Sequence, residues 1–167
     1  MNRAIFPGSF DPFTIGHADI VERGLRLFDE IIIAIGCNEH KSGWLPVEER
    51  MNALKQYYGT SPNVKVTCYS GLTVDFAKEQ EAGFILRGVR SVRDYEYEAD
   101  LANINKSLSG IETVILLAAP DISGISSSAI RELYHFGRDI TPWLPQGLAY
   151  ESIKKHVSIK PNPIKPV

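Results

Sequence analysis

The chain has 167 residues, 44% of them hydrophobic, which is enough for one core and too little for two generous domains. Charged residues make up 23% with a formal net charge of -2, so no global field draws the protein to nucleic acid or to an anionic membrane. Any affinity for phosphates must come from a local site.

No apolar run approaches the roughly 20 residues of a membrane-spanning helix. The first residues, MNRAIFPGSF, lack the long apolar stretch of a secretory signal. Cys37 and Cys68 are far apart in the sequence and form no CxxC pair. They read as free thiols of a reducing compartment, the cytoplasm, rather than as a disulfide or a zinc site.

In chain order, residues 3–6 read as a short apolar strand that stops at Pro7-Gly8. After Gly16-His17, Ile20, Val21, Leu25 and Phe28 recur at helical spacing. Residues 30–36 (EIIIAIG) form a continuous β-branched run, as in a parallel strand buried on both faces. Pro46 opens a helix striped by Met51, Leu54 and Tyr58. Residues 64–69 alternate as a third strand, 74–81 are helical up to Gly83, and 84–86 make a short fourth strand. The longest helical pattern, residues 91–108, has Ser91 as its N-cap. A fifth strand over 113–118 runs into AAPDISG, and helices are expected over 126–136 and 146–156. The tail from about residue 158, with three prolines, is expected to be irregular. This alternation without repeats predicts one α/β domain over residues 1–167, a doubly wound five-stranded parallel sheet.

Three segments lie at strand carboxyl ends, where open α/β sheets bind ligands. Gly8-Ser9-Phe10-Asp11-Pro12 and Thr14-Ile15-Gly16-His17 follow the first strand. The glycine and small hydroxyl let a ligand approach the backbone, and Gly16-His17 open a helix whose free N–H groups and dipole favour a phosphate. The blander alternative is a turn with a capping histidine. Arg87-Gly88-Val89-Arg90 follows the fourth strand, offering guanidinium forks for phosphate oxygens. Alternatively these arginines are solvated, or paired with Asp94, Glu96 or Glu98. Ile125-Ser126-Ser127-Ser128 adds amides and hydroxyls at a further helix start, although serines also cap helices without binding anything. If strands one and four are neighbours where the strand order reverses, the three segments share one crevice. Asp11 reads as a local Asx-type turn residue, Asp75 and Glu79 as a solvated helix face, and Tyr57, Tyr95 and Tyr97 as packing or subunit contacts.

Together the segments resemble the bacterial phosphopantetheine adenylyltransferase family, a Rossmann-like branch of the nucleotidyltransferases with GH and ISSS motifs. The likeness rests on PGSFDPFTIGH, Lys41, LTVDFA, RGVRSVRDYEYE, Asn105, ISSS and Pro145. It implies adenylyl transfer from ATP to 4′-phosphopantetheine in coenzyme A biosynthesis, giving dephospho-coenzyme A and pyrophosphate. By resemblance, His17, Lys41 and Arg90 are catalytic, and Ser9, Lys41, Thr73 and Arg87 hold the acceptor. Ser9, Phe10, His17, Gly88, Val89, Arg90, Glu98, Ile122, Ser123, Gly124, Ile125, Ser126, Ser127 and Ser128 would bind ATP. The resemblance further implies Mg²⁺ with ATP, a homohexamer and feedback by coenzyme A, and no protein-held metal is expected.

There are departures from the family pattern. Ser9 replaces a usual threonine, Ile15 a usual asparagine, and Arg131 a common lysine. Rival expectations are nicotinate or nicotinamide mononucleotide adenylyltransferases, which Arg131 resembles, and cytidylyltransferases. Both commonly carry HxGH, where this chain has Thr14 in place of the first histidine, and both lack RGVRSVRDYEYE. A non-catalytic nucleotide sensor on the same fold could dispense with His17 and Lys41.

Overall fold

The computed structural model describes residues 1–37 and 43–156. Its frame is five parallel strands in the order β3-β2-β1-β4-β5: β1 (Arg3–Gly8), β2 (Glu30–Gly36), β3 (Val64–Tyr69), β4 (Phe84–Val89) and β5 (Glu112–Leu117). The helices between them are α1 (Ile15–Gly24), α2 (Val47–Tyr57), α3 (Thr73–Glu79) and α4 (Val92–Ser109). After β5 come α5 (Ser127–His135), a 3-10 turn (Thr141–Trp143) and α6 (Glu151–His156).

Strand β2 is buried along nearly its whole length, and its residues alternate between two cores. Ile31, Ile33 and Ile35 join Ala4 and Phe6 of β1 under α1, α2 and α5, through Ile20, Val21, Leu54 and Ile130. Ile32 and Ala34 join Ile5 and Ile85 under α3, through Val74, Phe76 and Ala77. Helices on both faces leave a β-branched strand with no solvent side, which is why EIIIAIG shows no polar alternation. The fully buried isoleucines contribute roughly 1.5–3 kcal/mol each by leaving water.

The chain winds from β1 outward to β3, then returns through α3 to place β4 on the other side of β1. The order therefore reverses between β1 and β4. There the seam is short: Ala4 faces Phe84 and Ile5 faces Ile85, and pairing goes no further, whereas β1 pairs β2 through Gly8↔Ile35. On its other edge β4 stays zipped to β5 through Val89↔Leu117. A cleft opens at the carboxyl end of the sheet between β1 and β4.

Several elements differ from the sequence reading. β1 extends through Pro7 and Gly8, and β4 through Arg87, Gly88 and Val89, because their partners β2 and β5 continue to pair. Of the RGVR segment only Arg90 lies beyond the strand. The last helix begins at Glu151 rather than 146, since Gly147 takes φ 91° and turns the backbone out of helical geometry. Cys37 and Cys68 come together: Cys68 faces Ile35 in the β2–β3 register and Cys37 follows β2. Both are free, and burial with the adjacent Cys68 thiol pushes Cys37 up.

Candidate active site

The cleft between β1 and β4 is a crevice of about 580 Å³, lined by all three segments at the strand ends: Gly8, Ser9 and His17; Arg87, Gly88 and Arg90; and Ile125 through Ser128. Pro7, Gly8, Arg87 and Glu98 also border a side cavity of about 170 Å³, which reaches Thr73, Tyr69 and Asn105. The Arg87–Glu98 pair thus stands between two adjoining spaces.

The first wall is the turn from β1 to α1. Gly8 is required by close approach: a Cβ there would stand 2.9 Å from the Phe10 ring. Phe10, at φ 48°, buries its ring as a shelf, 5.1 Å centroid to centroid and edge-on to His17, with Phe13 at 5.3 Å. Phe10 borders the crevice but is 2% exposed, so it shapes the floor rather than presenting a ring to a ligand. Thr14 caps α1, and the Thr14 N–H donates to His17 Nδ1 at 3.0 Å. A ring nitrogen that accepts carries no proton, so the neutral imidazole holds its hydrogen on Nε2. Burial among the phenylalanines, reinforced by the positive fields of Arg90 and Arg87, lowers the His17 pKa from 6.5 to about 4. His17 is both the reciprocal partner of the Thr14 cap and a neutral donor at the crevice.

Asp11 departs from the local-turn expectation. Its buried carboxylate accepts the amides of Trp44 at 2.7 Å and Leu45 at 2.8 Å, tying the first wall to the approach of α2. Sequence reasoning also missed Arg50, 4% exposed, which donates to the carbonyls of Ser9 at 2.5 Å and Leu45 at 3.1 Å. The signal was present: Arg50 sits one turn from Leu54 on the apolar face of α2, where a charge demands partners.

The second wall carries the arginines, and both are ion-paired. Arg87 donates Nε to Glu98 at 2.6 Å, Nη2 to the other Glu98 oxygen, and Nη1 to the Pro7 carbonyl at 2.5 Å. Those three bonds leave two of its five N–H donors, and the residue still faces the crevice. Arg90 donates to Asp94 at 3.0 Å and to the Ile125 carbonyl at 3.3 Å. Gly88 lies under α1, where a Cβ would come within 2.8 Å of Ile20. Val89 is 1% exposed and turns into the core. Tyr97, expected as a packing or subunit contact, is 64% exposed in the single chain and lines the crevice with Arg93.

The third wall is the start of α5. Its hydroxyls are committed: Ser126 caps the Ala129 amide at 3.1 Å, Ser127 donates to the Pro12 carbonyl at 2.8 Å, and Ser128 accepts from Arg131 at 3.2 Å. The first-turn amides of Ser127 and Ser128 have no acceptor within the helix, and both residues line the crevice. Ile122 lines it too, whereas Ser123, bonded to the Pro120 carbonyl at 3.0 Å, and Gly124 do not. Thr73 is in the side cavity, its hydroxyl 2.9 Å from that of Tyr69. Lys41 lies outside the described residues. Among the described residues no three His, Cys, Asp or Glu side chains are grouped to hold a metal, and the crevice carboxylates Asp94 and Glu98 already face arginines.

A parallel sheet parted at its switch point, with a neutral histidine donor, two arginines and a helix terminus around the cleft, has the build of a nucleotidyltransferase, and residues 5–133 match the cytidylyltransferase-like family. A Phocaeicola vulgatus protein named phosphopantetheine adenylyltransferase is 51% identical over 148 residues, 89% of this chain and 98% of its own. A Porphyromonas gingivalis protein of the same name is 51% identical over 150 residues, 90% of this chain and 98% of its own. The chain belongs to the phosphopantetheine adenylyltransferase family. A Francisella tularensis bifunctional NMN adenylyltransferase/ADP ribose pyrophosphatase superposes with a TM-score of 0.65 at 13% identity, over 95% of this chain and 50% of that one. At that identity the likeness speaks for the fold alone.

Proposed function

We propose that the chain transfers the adenylyl group of ATP to 4′-phosphopantetheine, releasing pyrophosphate and giving dephospho-coenzyme A. The observation that carries this reading is one crevice, ringed by neutral and cationic donors, that shares its Arg87 wall with an adjoining side cavity. ATP fits the larger space, with its phosphates toward His17, Arg90 and the α5 amides. The acceptor arm fits the side cavity beside Thr73, with its phosphate at Arg87 and Ser9.

An acceptor phosphate oxygen forms a bond to the α-phosphorus while the bond from that phosphorus to the bridging oxygen breaks, and pyrophosphate leaves with the electron pair. A phosphomonoester carries nearly two charges near neutrality, so no proton need be removed and no protein nucleophile is required. The barrier is the approach of two anions and the charge that grows on the bridging and leaving oxygens. Fixed donors lower it by positioning and by charge stabilisation. A neutral His17 suits this work, because its Nε2–H can meet growing charge without first gaining a proton. Mg²⁺ enters as part of the nucleotide substrate, chelated by the ATP phosphates.

The remaining features expected from the resemblance belong to the same proposal: a cytoplasmic homohexamer, with coenzyme A returning to the crevice as a feedback ligand. Ile104 and Leu108, 54% and 61% exposed at helical spacing on α4, support a subunit contact. Among the described residues no helix is long and apolar enough to cross a membrane.

The test is pyrophosphate release from Mg·ATP with 4′-phosphopantetheine, nicotinamide mononucleotide and glycerol phosphate offered in parallel. Release with the first alone is expected. Preference for either of the others, or ATP binding without release, overturns the reading.

A further inference from the structure

Residues 9–14 run from β1 to α1, and side chains from several other elements grip their backbone. Arg50 of α2 holds the Ser9 carbonyl at 2.5 Å, and the Tyr150 hydroxyl accepts the Phe13 amide at 3.0 Å. From α5, Ser127 holds the Pro12 carbonyl at 2.8 Å and Arg131 Nη1 holds the Asp11 carbonyl at 2.6 Å. The other amino group of Arg131 reaches the Ser128 hydroxyl at 3.2 Å. Arg131 therefore bridges the first and third walls, yet it does not line the crevice between them.

We infer that Arg131 is a positioning residue for the transfer: it seats the Asp11–Thr14 stretch on the first turns of α5, and so sets where His17 stands relative to the Ser127 and Ser128 amides. The path is continuous, because Thr14 ends the gripped stretch and itself holds the His17 ring. A guanidinium can do this where an ammonium does it less well, since its fork reaches two acceptors from different nitrogens. The inference rests on the proposed transfer, in which His17 meets the ATP phosphates.

The experiment measures pyrophosphate release from Mg·ATP and 4′-phosphopantetheine by Arg131→Ala, Arg131→Lys, His17→Ala, and His17→Ala combined with each Arg131 change. Small misplacements away from the chemistry can cost up to about 10²-fold. Arg131→Ala is expected to lower kcat by about 10- to 100-fold with little change in the KM of ATP, and Arg131→Lys to recover part of that loss. In the His17→Ala background both changes are expected to cost less than about twofold, the scatter of additivity itself. If Arg131→Ala does not fold, as read by its thermal transition, the Arg131→Lys pair carries the same comparison. Losses that multiply with His17→Ala, a raised KM for ATP with kcat intact, or an unchanged kcat each overturn the inference alone. A His17→Ala enzyme of undiminished turnover overturns the proposed chemistry along with it.

Discussion

Thr14 and His17 hold one another reciprocally. The Thr14 amide donates to His17 Nδ1 at 3.0 Å, the Thr14 hydroxyl lies 3.1 Å from the same nitrogen, and the His17 amide donates back to that hydroxyl at 3.4 Å. The bonds that start helix α1 also orient the ring at its entrance.

With its pKa lowered to about 4, His17 stays neutral throughout the neutral range, so turnover should show no inflection from this residue near 6.5. For stability the sign follows from the direction of the shift. The unfolded chain binds a proton near 6.5 that the folded ring accepts only near 4, so stability is full above 6.5 and is lost as pH falls toward 4. Nitrogen NMR of the ring should report the Nε2–H form with a midpoint near 4. A midpoint near 6.5 would contradict the buried, arginine-flanked environment.

His17→Ala should lower turnover by roughly 10²–10³-fold, the usual cost of deleting one preorganised donor. KM values for both substrates should move far less. An exchange at Gln56, exposed on α2, serves as the fold-neutral control, and an equal loss there removes His17 from its assigned place.

Arg87→Ala should act mainly on the acceptor. Hydrogen bonds to a charged group contribute about 1.5–3 kcal/mol, so the acceptor KM should rise roughly 10- to 100-fold while that of ATP changes little. Steady-state kinetics with each substrate varied in turn decides it, and an unchanged acceptor KM counts against the role. The same change strands Glu98, 7% exposed, without its partner, so a lower thermal midpoint should accompany the kinetic effect.

Gly88→Ala places a methyl 2.8 Å from Ile20 and should push α1, with His17 on its first turn, away from β4. Overpacking of this kind costs typically 1–3 kcal/mol. The thermal midpoint and turnover should fall together, and adding Ile20→Ala should restore part of both. Failure of the second change to rescue either quantity would show that the glycine serves something other than this close approach.

The fold was legible wherever one local rule decided the outcome. Burial on both faces made residues 30–36 unmistakable, and the Ser91 hydroxyl caps α4 by accepting the Asp94 amide at 3.1 Å. Strand ends were not, since β1 and β4 continue only while a neighbouring strand pairs with them, and that neighbour is a product of topology. The three segments were recognisable from glycine, arginine and serine at strand ends. Their internal bonding was not. Arg87 meets Glu98 eleven positions later, and Asp11 reaches the amides of Trp44 and Leu45, across separations that no local pattern encodes. Arg50 shows the converse: its place on an apolar face marks it as partnered, but only the folded chain identifies the carbonyls it serves.

The Pro7 carbonyl points at β4, where Arg87 meets it. In an extended strand the nitrogen of a residue lies on the same edge as its carbonyl, and in proline that nitrogen has no hydrogen to give. A central strand tolerates such a residue only where its ladder stops. The groove is thus kept ajar by covalent structure before any nucleotide arrives, and an incoming ligand spends nothing on prising two strands apart.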